Sequence, residues 1–308
     1  LLWSGEPEDK AAYNGETHSR FEGGDGPTLK GGRGGILREI DWEGNILWEH
    51  INFDQHHDCR RLANGNTLFL GWEIMPGEAA KRVLGGQSGT ELNGMIYSDY
   101  LHEVTPAGDV VWEWHAHSDM ALENYPMCAR CQRNEFAHAN ACAPLPNGDV
   151  IISFRRLNMI AIIDRKTRKL RWEHRDDSWG HQHDCQMLDN GNIMLFANGI
   201  HGADMPYSRV IELDPNTKEA VWTYKGSPHY SFFSPHISGA QRLDSGNTLI
   251  CEGQWGRVFE VTPDGDIVWE YVSPFFDPNP GSNGNTNMMF RAYRYAVESP
   301  QIRGRVSI

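Results

Sequence analysis

The segment RVFEVTPDGDIVWEY at residues 257–271 consists of two arms of alternating apolar residues around the turn TPDGD. Alternation with a period of two is typical of a half-buried β-strand, and Pro, Asp and Gly favour the tight turn of a hairpin. Four other segments repeat this pattern, each with a tryptophan in the second arm. They are ILREIDWEGNILWEH (36–50), YLHEVTPAGDVVWEW (100–114), MIAIIDRKTRKLRWEH (159–174) and RVIELDPNTKEAVWTY (209–224).

A second pattern, strand, Asn-Gly or Ser-Gly turn, strand, falls between these hairpins. Its copies are QHHDCRRLANGNTLFLGW (55–72), HANACAPLPNGDVIISFR (138–155), HQHDCQMLDNGNIMLFANG (181–199) and HISGAQRLDSGNTLICEG (236–253). Because the two patterns alternate, one repeat unit is four antiparallel strands, which is the signature of a propeller blade. We therefore predict an all-β chain that forms a single β-propeller domain over residues 1–308.

The two ends of the chain supply the remaining blade. NMMFRAYRY (287–295) has the pattern of an innermost strand without a following hairpin, and LLWSG (1–5) has that of the strand that follows one. We predict five four-stranded blades, one of them closed by a C-terminal and three N-terminal strands, with six blades as the alternative. Segments at about 73–99 and 115–137 do not fit the repeat and are predicted insertions over one face. The recurring tryptophans are predicted to pack the blades; they are Trp48, Trp112, Trp172, Trp222 and Trp269.

Charge and composition restrict the partners. The chain has 28 Lys and Arg against 41 Asp and Glu, a net charge of −13, which argues against nucleic acid. No apolar run approaches the roughly 18 residues of a membrane span. We expect a small-molecule substrate, aromatic or anionic, and an anion would need a local basic pocket. The chain begins at Leu1 rather than Met, so a periplasmic and a cytoplasmic location both stay open.

The histidines fall in register within the second pattern. Aligned on the leucine of each first strand, the residues five positions earlier are His57, Asn140, His183 and Ser238. Those seven positions earlier are Gln55, His138, His181 and His236. A period of two points each such pair to one side, so we expect a ring of imidazoles and amides around one mouth of a central channel. Polar groups are costly to bury without a purpose, and the ring is therefore predicted to be a functional site.

Other residues supply weaker signals. Asp58 and Asp184 follow the register histidines on the opposite face and are predicted to tie neighbouring blades together. Arg155 and Arg156 are positive charges for an anion, with surface ion pairs as the alternative. The motif Cys128-x-x-Cys131 leaves a zinc site, a local disulfide or neither open. The pair His115 and His117, with Asp119, is typical of a solvated loop, with a metal pair as the alternative.

Several of these motifs resemble the arylsulfotransferase family. They are QHD followed by xxLxNGNxxLFxNG (182–199), HxN at 138–140 with SFR at 153–155, and the terminal FRAYRY (290–295). The resemblance spans nearly all of 36–295. It implies a propeller enzyme that moves a sulfuryl group between phenols through a transiently sulfated histidine, with no nucleotide donor and no required cofactor. Characterised members have six blades and an extra N-terminal β-domain, whereas five blades are predicted here.

The resemblance also implies roles by position. His183 would be the nucleophile and His57 a second histidine of the site, while His138 and Asn140 match the family's His-x-Asn. Arg155 would hold the sulfate oxygens, with Arg156 as a close competitor. The remaining register residues are predicted to contact the substrate; they are His181, His236 and Ser238.

Two other function classes stay open. The first is a metal-dependent lyase or hydrolase, because several neutral imidazoles facing one point suit zinc or another transition metal. Its candidate ligands are His57, His138, His181, His183 and His236. The second is a ligand-binding propeller without catalytic activity.

Overall fold

The computed structural model describes residues 2–5, 29, 31–202, 205–278, 284–300 and 302–305. The chain divides into two compact units, Leu1–Arg175 (unit 1) and Asp176–Ile308 (unit 2). Over the described ranges the regular structure is nearly all β, and the only α-helices are the short α1 (Gly77–Ala80) and α2 (Ala116–Asp119). None of the described helices is long and apolar enough to cross a membrane.

Unit 1 contains three blades of antiparallel strands. Blade 1 is β1 (Leu2–Gly5), β2 (Ile36–Ile40) and β3 (Ile46–Ile51). Blade 2 is β4 (Gln55–Arg61), β5 (Thr67–Ile74), β7 (Tyr97–Val104) and β8 (Val110–His115), and blade 3 is β10 (Ala139–Pro144), β11 (Val150–Phe154), β12 (Met159–Ile163) and β13 (Leu170–Arg175). Two further strands, β6 (Gly85–Gln87) and β9 (Met127–Gln132), pair in parallel.

Unit 2 contains two four-stranded blades. Blade 4 is β14 (His183–Met187), β15 (Ile193–Ala197), β16 (Arg209–Leu213) and β17 (Ala220–Lys225), and blade 5 is β18 (Gly239–Arg242), β19 (Thr248–Glu252), β20 (Arg257–Val261) and β21 (Ile267–Val272). The short β22 (Asp277–Pro278) and β23 (Asn285–Thr286) form a two-stranded sheet. The prediction of an all-β propeller with five blades is confirmed.

The C-terminal segment differs from the prediction in one detail. Residues 287–295 form no strand, and blade 1 has three strands in the described part of the chain. The main chain of this segment bonds to residues of blade 5 instead. Phe290 O accepts from Ser238 N at 3.1 Å. The side chain of Gln241 donates to Arg294 O at 3.0 Å and accepts from Arg294 N at 2.7 Å, which occupies the main-chain groups that a strand ladder would use.

The repeated tryptophans join one hairpin to the next within each unit. Trp48 Nε1 donates to Pro106 O at 2.9 Å, and Trp222 Nε1 donates to Pro263 O at 2.8 Å. Arg61 lies over the Trp48 ring, 4.3 Å from its centroid. An amphipathic indole can bury its ring and still satisfy its N–H, so these contacts confirm the predicted packing role for Trp48 and Trp222.

The two insertions are part of unit 1 and pack against blades 2 and 3. The ladder of β5 and β7 extends beyond the repeat as far as Ile74 and Tyr97, so the first insertion is shorter than predicted. Strand β6 of the first insertion pairs with β9 of the second. Apolar side chains of both insertions join one buried core with those of blades 2 and 3; they include Met75, Val83, Met120, Leu122 and Phe136.

Candidate functional site

The innermost strands begin with irregular backbone. The ladder register shifts between His56 and Cys59, between Ala139 and Ala141, and between His183 and Gln186. His57 and His138 lie in the left-handed region, with φ of 53° and 54°. The predicted regular alternation is therefore wrong at this point, because each bulge re-aims the side chains next to it. Strained backbone of this kind is concentrated at functional sites.

Within unit 1, two of the predicted histidines lie against each other. The ring centroids of His57 and His138 are 4.7 Å apart and the rings are nearly perpendicular. His57 Nδ1 lies 2.8 Å from His56 Nδ1, and the His56 ring stacks on Trp72 with centroids 4.2 Å apart. We call these three histidines with Trp72 and Glu135 the unit 1 histidine cluster.

Glu135 connects this cluster. His138 Nδ1 donates to Glu135 Oε2 at 2.7 Å, and Trp72 Nε1 donates to Glu135 Oε1 at 2.7 Å. Glu135 is buried, and Arg156 Nη2 lies 3.6 Å from the same carboxylate. Because a carboxylate only accepts, the proton of neutral His138 is on Nδ1 and the lone pair is on Nε2. The sequence reasoning did not identify Glu135, which stands outside the repeat register.

The neighbouring His56 and Asp99 are both buried. His56 Nε2 lies 3.3 Å from Asp99 Oδ1. Burial lowers the pKa of His56 to about 4, so its imidazole is neutral at pH 7. Burial and the nearby charge of Glu135 raise the pKa of Asp99 well above its usual value. Burial thus disfavours the charged form of both side chains.

Arg155 places a half-buried positive charge beside the cluster. It begins the 3₁₀ turn Arg155–Leu157, and its backbone N–H donates to His138 O at 3.1 Å. Burial, followed by the neighbouring Arg156, lowers the pKa of Arg155 to about 10, so it stays protonated at pH 7. In the described ranges no carboxylate is within ion-pair distance of its guanidinium. A half-buried guanidinium of this kind suits an anionic ligand.

Arg156 differs from Arg155 in its partners. Its Nη1 donates to Gln132 O at 2.9 Å, to Asn134 Oδ1 at 2.8 Å and to Glu135 O at 2.7 Å. These bonds hold the second insertion against blade 3. The contacts therefore favour Arg155 over Arg156 as the anion-binding arginine.

A glycine-rich loop lies against the cluster. The glycine-rich stretch GGDGPTLKGGRGG (23–35) falls partly outside the described residues, but Leu29 and 31–35 are described. His57 N donates to Gly32 O at 2.6 Å. Gly32 has φ +78°, and a Cβ there would lie 2.3 Å from the His57 ring. Only glycine allows this close approach of the backbone to the imidazole.

In unit 2, His183 is held by a buried amide. His183 Nδ1 lies 2.7 Å from Asn198 Oδ1. Asn198 Nδ2 donates to Ser234 O at 2.8 Å and to Ile237 O at 3.0 Å, which fixes the orientation of the amide. Its oxygen must then accept from His183, so His183 carries the Nδ1 proton and has its lone pair on Nε2. Asn198 was not among the predicted residues; its only sequence signal is the Asn-Gly that ends the family motif LFxNG.

The other predicted residues of unit 2 have different surroundings. His181 is buried and its ring lies 4.4 Å from that of His201, whereas His236 is half-buried. Ser238 Oγ donates to Ser234 Oγ at 2.8 Å and accepts from Gly253 N at 2.9 Å. These bonds connect the start of blade 5 to its second strand. The substrate contacts of His181, His236 and Ser238 stay predictions.

The two aspartates that follow the register histidines join neighbouring strands, as predicted. Asp58 Oδ2 accepts from Cys142 N at 2.9 Å, which links blades 2 and 3. Asp184 Oδ2 accepts from Ala240 N at 3.2 Å, which links blades 4 and 5. Asp184 Oδ1 also lies 3.2 Å from Arg291 Nε. The aspartates thus hold the inner strands at the spacing that presents the histidines.

A family comparison matches arylsulfotransferase (ASST) over residues 25–274, most of the chain. The chain belongs to the arylsulfotransferase family. Membership supports an enzyme that acts on small molecules. A comparison with curated proteins gives no match.

Three solved structures resemble the chain at low identity. A Bacteroides caccae protein of unknown function is 14% identical, with 78% of this chain and 77% of that chain covered and a TM-score of 0.49. Virginiamycin B lyase from Staphylococcus aureus is 13% identical, with 81% and 65% covered and a TM-score of 0.45. A streptogramin B lyase is 11% identical, with 92% and 75% covered and a TM-score of 0.46.

The remaining members of the family motifs are also located. Asn140 is fully buried at the start of β10, two residues after His138. Cys128 and Cys131 are both thiols, and a hydrogen bond with Cys128, followed by burial, raises the pKa of Cys131. Among the described residues, unit 1 thus brings together His57, His138 and Arg155, and unit 2 holds His183 on Asn198.

Proposed function

We propose that the chain transfers a sulfuryl group from one phenolic oxygen to another, and that His183 carries the group between the two half-reactions. The observation that supports this role most directly is the bond between His183 Nδ1 and Asn198 Oδ1 at 2.7 Å. It leaves the lone pair of the neutral imidazole on Nε2, which is the form that a nucleophilic histidine requires.

In the first half-reaction, His183 Nε2 attacks the sulfur of an aryl sulfate. The N–S bond forms, the S–O bond to the phenol breaks, and the phenolate leaves with the electron pair. The imidazole ring gains positive charge in this step, and the Asn198 oxygen that accepts from Nδ1–H is already oriented to stabilise it. The buried bonds from Asn198 to Ser234 O and Ile237 O remove the need for reorganisation.

In the second half-reaction, the oxygen of an acceptor phenol attacks the same sulfur. The N–S bond breaks, its electron pair returns to Nε2, and the phenolic proton passes to a base or to water. The neutral imidazole is regenerated, so no cofactor is consumed. The donor and acceptor are both phenolic in this proposal, which makes the substrate aromatic and its sulfated form anionic.

Unit 1 contains a group of polar side chains for which we propose anion binding. Arg155 is half-buried, stays protonated at pH 7 and has no carboxylate partner among the described residues. We propose that it binds sulfate oxygens, with His57, His138 and Asn140 as polar contacts. The planar guanidinium can donate two hydrogen bonds at once to two oxygens of one sulfate group. Arg156 acts on this arrangement indirectly, through its bonds to the Glu135 segment.

The test is the rate of phenol release from 4-nitrophenyl sulfate, with and without a phenol acceptor, before and after removal of metals with a chelator. His183→Ala should lower the rate by about 10⁴-fold or more, because loss of a nucleophile removes the whole covalent route. The matched control is His229→Ala, which removes an exposed histidine of the same unit and should leave the rate unchanged.

Two results would contradict the proposal. Activity retained in His183→Ala would exclude the covalent histidine. Activity lost on chelation and restored by a metal ion would favour the metal-dependent alternative, for which the predicted ligands are the five register histidines.

A further inference from the structure

The outer hairpin of blade 2 carries a set of histidine and carboxylate side chains that the proposed reaction does not use. His102 on β7 pairs across the ladder with Glu113 on β8, and Tyr100 pairs with His115. Cross-strand partners share a face of the sheet, and so do residues two apart on one strand. His102, Glu113 and His115 therefore project from one face, close together, because of the strand register alone.

The distances among their polar atoms fit ligands around one ion. Glu113 Oε2 lies 3.5 Å from His115 Nε2 and 3.8 Å from His102 Nε2. These three residues place one ligand atom each within 4.8 Å of one another. Zinc–ligand bonds of about 2.0–2.2 Å in a tetrahedron put neighbouring ligand atoms about 3.4 Å apart. The gaps are longer than strong hydrogen bonds and close to this separation.

A second carboxylate orients one of the imidazoles. Glu73 Oε1 lies 2.8 Å from His115 Nδ1, which directs the Nδ1 proton to Glu73 and the Nε2 lone pair toward Glu113. His115 N also donates to Asp119 Oδ2 at 2.9 Å. Histidine ligands of metal sites usually donate from their other ring nitrogen to a carboxylate, which fixes the tautomer and the orientation of the ring.

We propose that His102, Glu113 and His115 bind one divalent transition-metal ion, with zinc as the fitting class, and that Glu73 is their positioning carboxylate. Two imidazole nitrogens and a carboxylate oxygen suit zinc and exclude the hard cations that prefer oxygen-only shells. The fourth position of the tetrahedron belongs to water or a ligand. The Glu113 side chain is half-exposed, with 50% of its surface accessible, so an ion can reach the site from solvent.

The same register position in other blades lacks this set. In blade 1 the matching glutamate is Glu49, and its cross-strand partner is Arg38, with which it forms an ion pair at 2.6 Å. Blade 3 pairs Glu173 with Ala161. The histidines are therefore specific to blade 2 and are not required by the propeller repeat.

A neighbouring set shares His115 and must be distinguished. Glu73, His115 and His117 also place ligand atoms within 4.8 Å of one another. His117 Nε2 lies 3.4 Å from the same Glu73 oxygen that accepts from His115. We assign Glu73 to the hydrogen bond, because its 2.8 Å contact with His115 Nδ1 is shorter than the separation of two ligands on one ion.

The experiment measures zinc affinity of the full-length, tag-free protein by competition with a chromogenic chelator, together with zinc content after dialysis. His102→Asn and Glu113→Gln should each weaken binding at this site by more than about 100-fold. Glu73→Gln should weaken zinc binding about 10–100-fold, because the carboxylate that orients the His115 ring is lost. Glu49→Gln, which removes the carboxylate at the same register position of blade 1, is the matched control and should change nothing.

Three results would overturn the assignment. They are absence of zinc binding by the wild type, unchanged affinity in both His102→Asn and Glu113→Gln, and loss of binding in His117→Asn with retention in Glu113→Gln. His102 is buried, so its variant is checked for folding by circular dichroism. Glu113→Gln alters a half-exposed side chain and keeps the test decisive if the His102 variant does not fold.

Discussion

Replacement of Glu135 by alanine should destabilise the protein more than any other single carboxylate change near the unit 1 histidine cluster. The carboxylate is buried and accepts from two buried donors, Trp72 Nε1 and His138 Nδ1, both at 2.7 Å. Both donors belong to buried side chains. The alanine variant therefore leaves two buried N–H groups without an acceptor and Arg156 without a nearby counter-charge.

The magnitude follows from these contacts. A hydrogen bond to a charged group contributes about 1.5–3 kcal/mol, so the loss of two should lower the free energy of unfolding by about 3–6 kcal/mol. Glu135→Gln should cost less, about 1–2 kcal/mol, because its amide oxygen can accept from Trp72 while its N–H donates to His138 Nδ1. That rearrangement moves the His138 proton to Nε2, so the glutamine variant changes the tautomer without removing the contact.

Urea unfolding followed by tryptophan fluorescence and circular dichroism measures the two free energies, and NMR of the imidazole nitrogens reports the tautomer. The control is Glu219→Ala, an exposed carboxylate of a hairpin turn, which should change stability by less than about 0.5 kcal/mol. A loss below about 1 kcal/mol in Glu135→Ala would refute the reasoning, because it would mean that the two donors find other partners.

Three further predictions rest on other contacts. Gly32→Ala should lower the free energy of unfolding more than Gly44→Ala, for which the expected loss is about 1 kcal/mol. Both glycines have positive φ, but only at Gly32 would a Cβ lie 2.3 Å from the His57 ring. Equal losses in urea unfolding would contradict this prediction. Burial raises the pKa of Asp99 in the folded state, so Asp99 takes up a proton on folding. Its contribution to the free energy of unfolding of the wild type therefore falls as the pH rises above about 4, the pKa of an unperturbed aspartate. Asp99→Asn should therefore gain stability relative to the wild type as the pH rises above about 4, and a pH-independent difference would contradict this. Trp112→Phe should lower the free energy of unfolding by about 0.5–1.5 kcal/mol through loss of its 2.9 Å indole N–H bond to the next hairpin, and an unchanged urea midpoint would exclude that contribution.

The repeat was readable from the sequence because each blade uses the same local chemistry. The Asn-Gly turn, the alternating arms and the tryptophan recur at fixed spacing, and each has a local physical cause. The Asn side chains of the turn even have a repeated partner, since Asn66 donates to Glu103 and Asn192 to Glu212. The number of blades followed from counting these units.

The details of the candidate site were less accessible. The register predicted which histidines begin the innermost strands, but not the bulges and left-handed residues that re-aim His57 and His138. Glu135 lies in an insertion, where no repeat predicts its position, and only the folded chain brings it to Trp72. The strand predicted at 287–295 does not form, because the Gln241 side chain bonds to main-chain groups that a strand ladder would use. Such side-chain bonds leave no periodic pattern in the sequence.

The most direct test of the central claim is mass spectrometry of the protein after brief exposure to an aryl sulfate without an acceptor, with digestion kept near neutral pH. The account predicts one added sulfuryl group on the peptide that contains His183, and its disappearance when a phenol acceptor is added. A sulfuryl group on a different residue, or turnover of the aryl sulfate with no modified peptide in a rapidly quenched sample, would contradict His183 as the carrier.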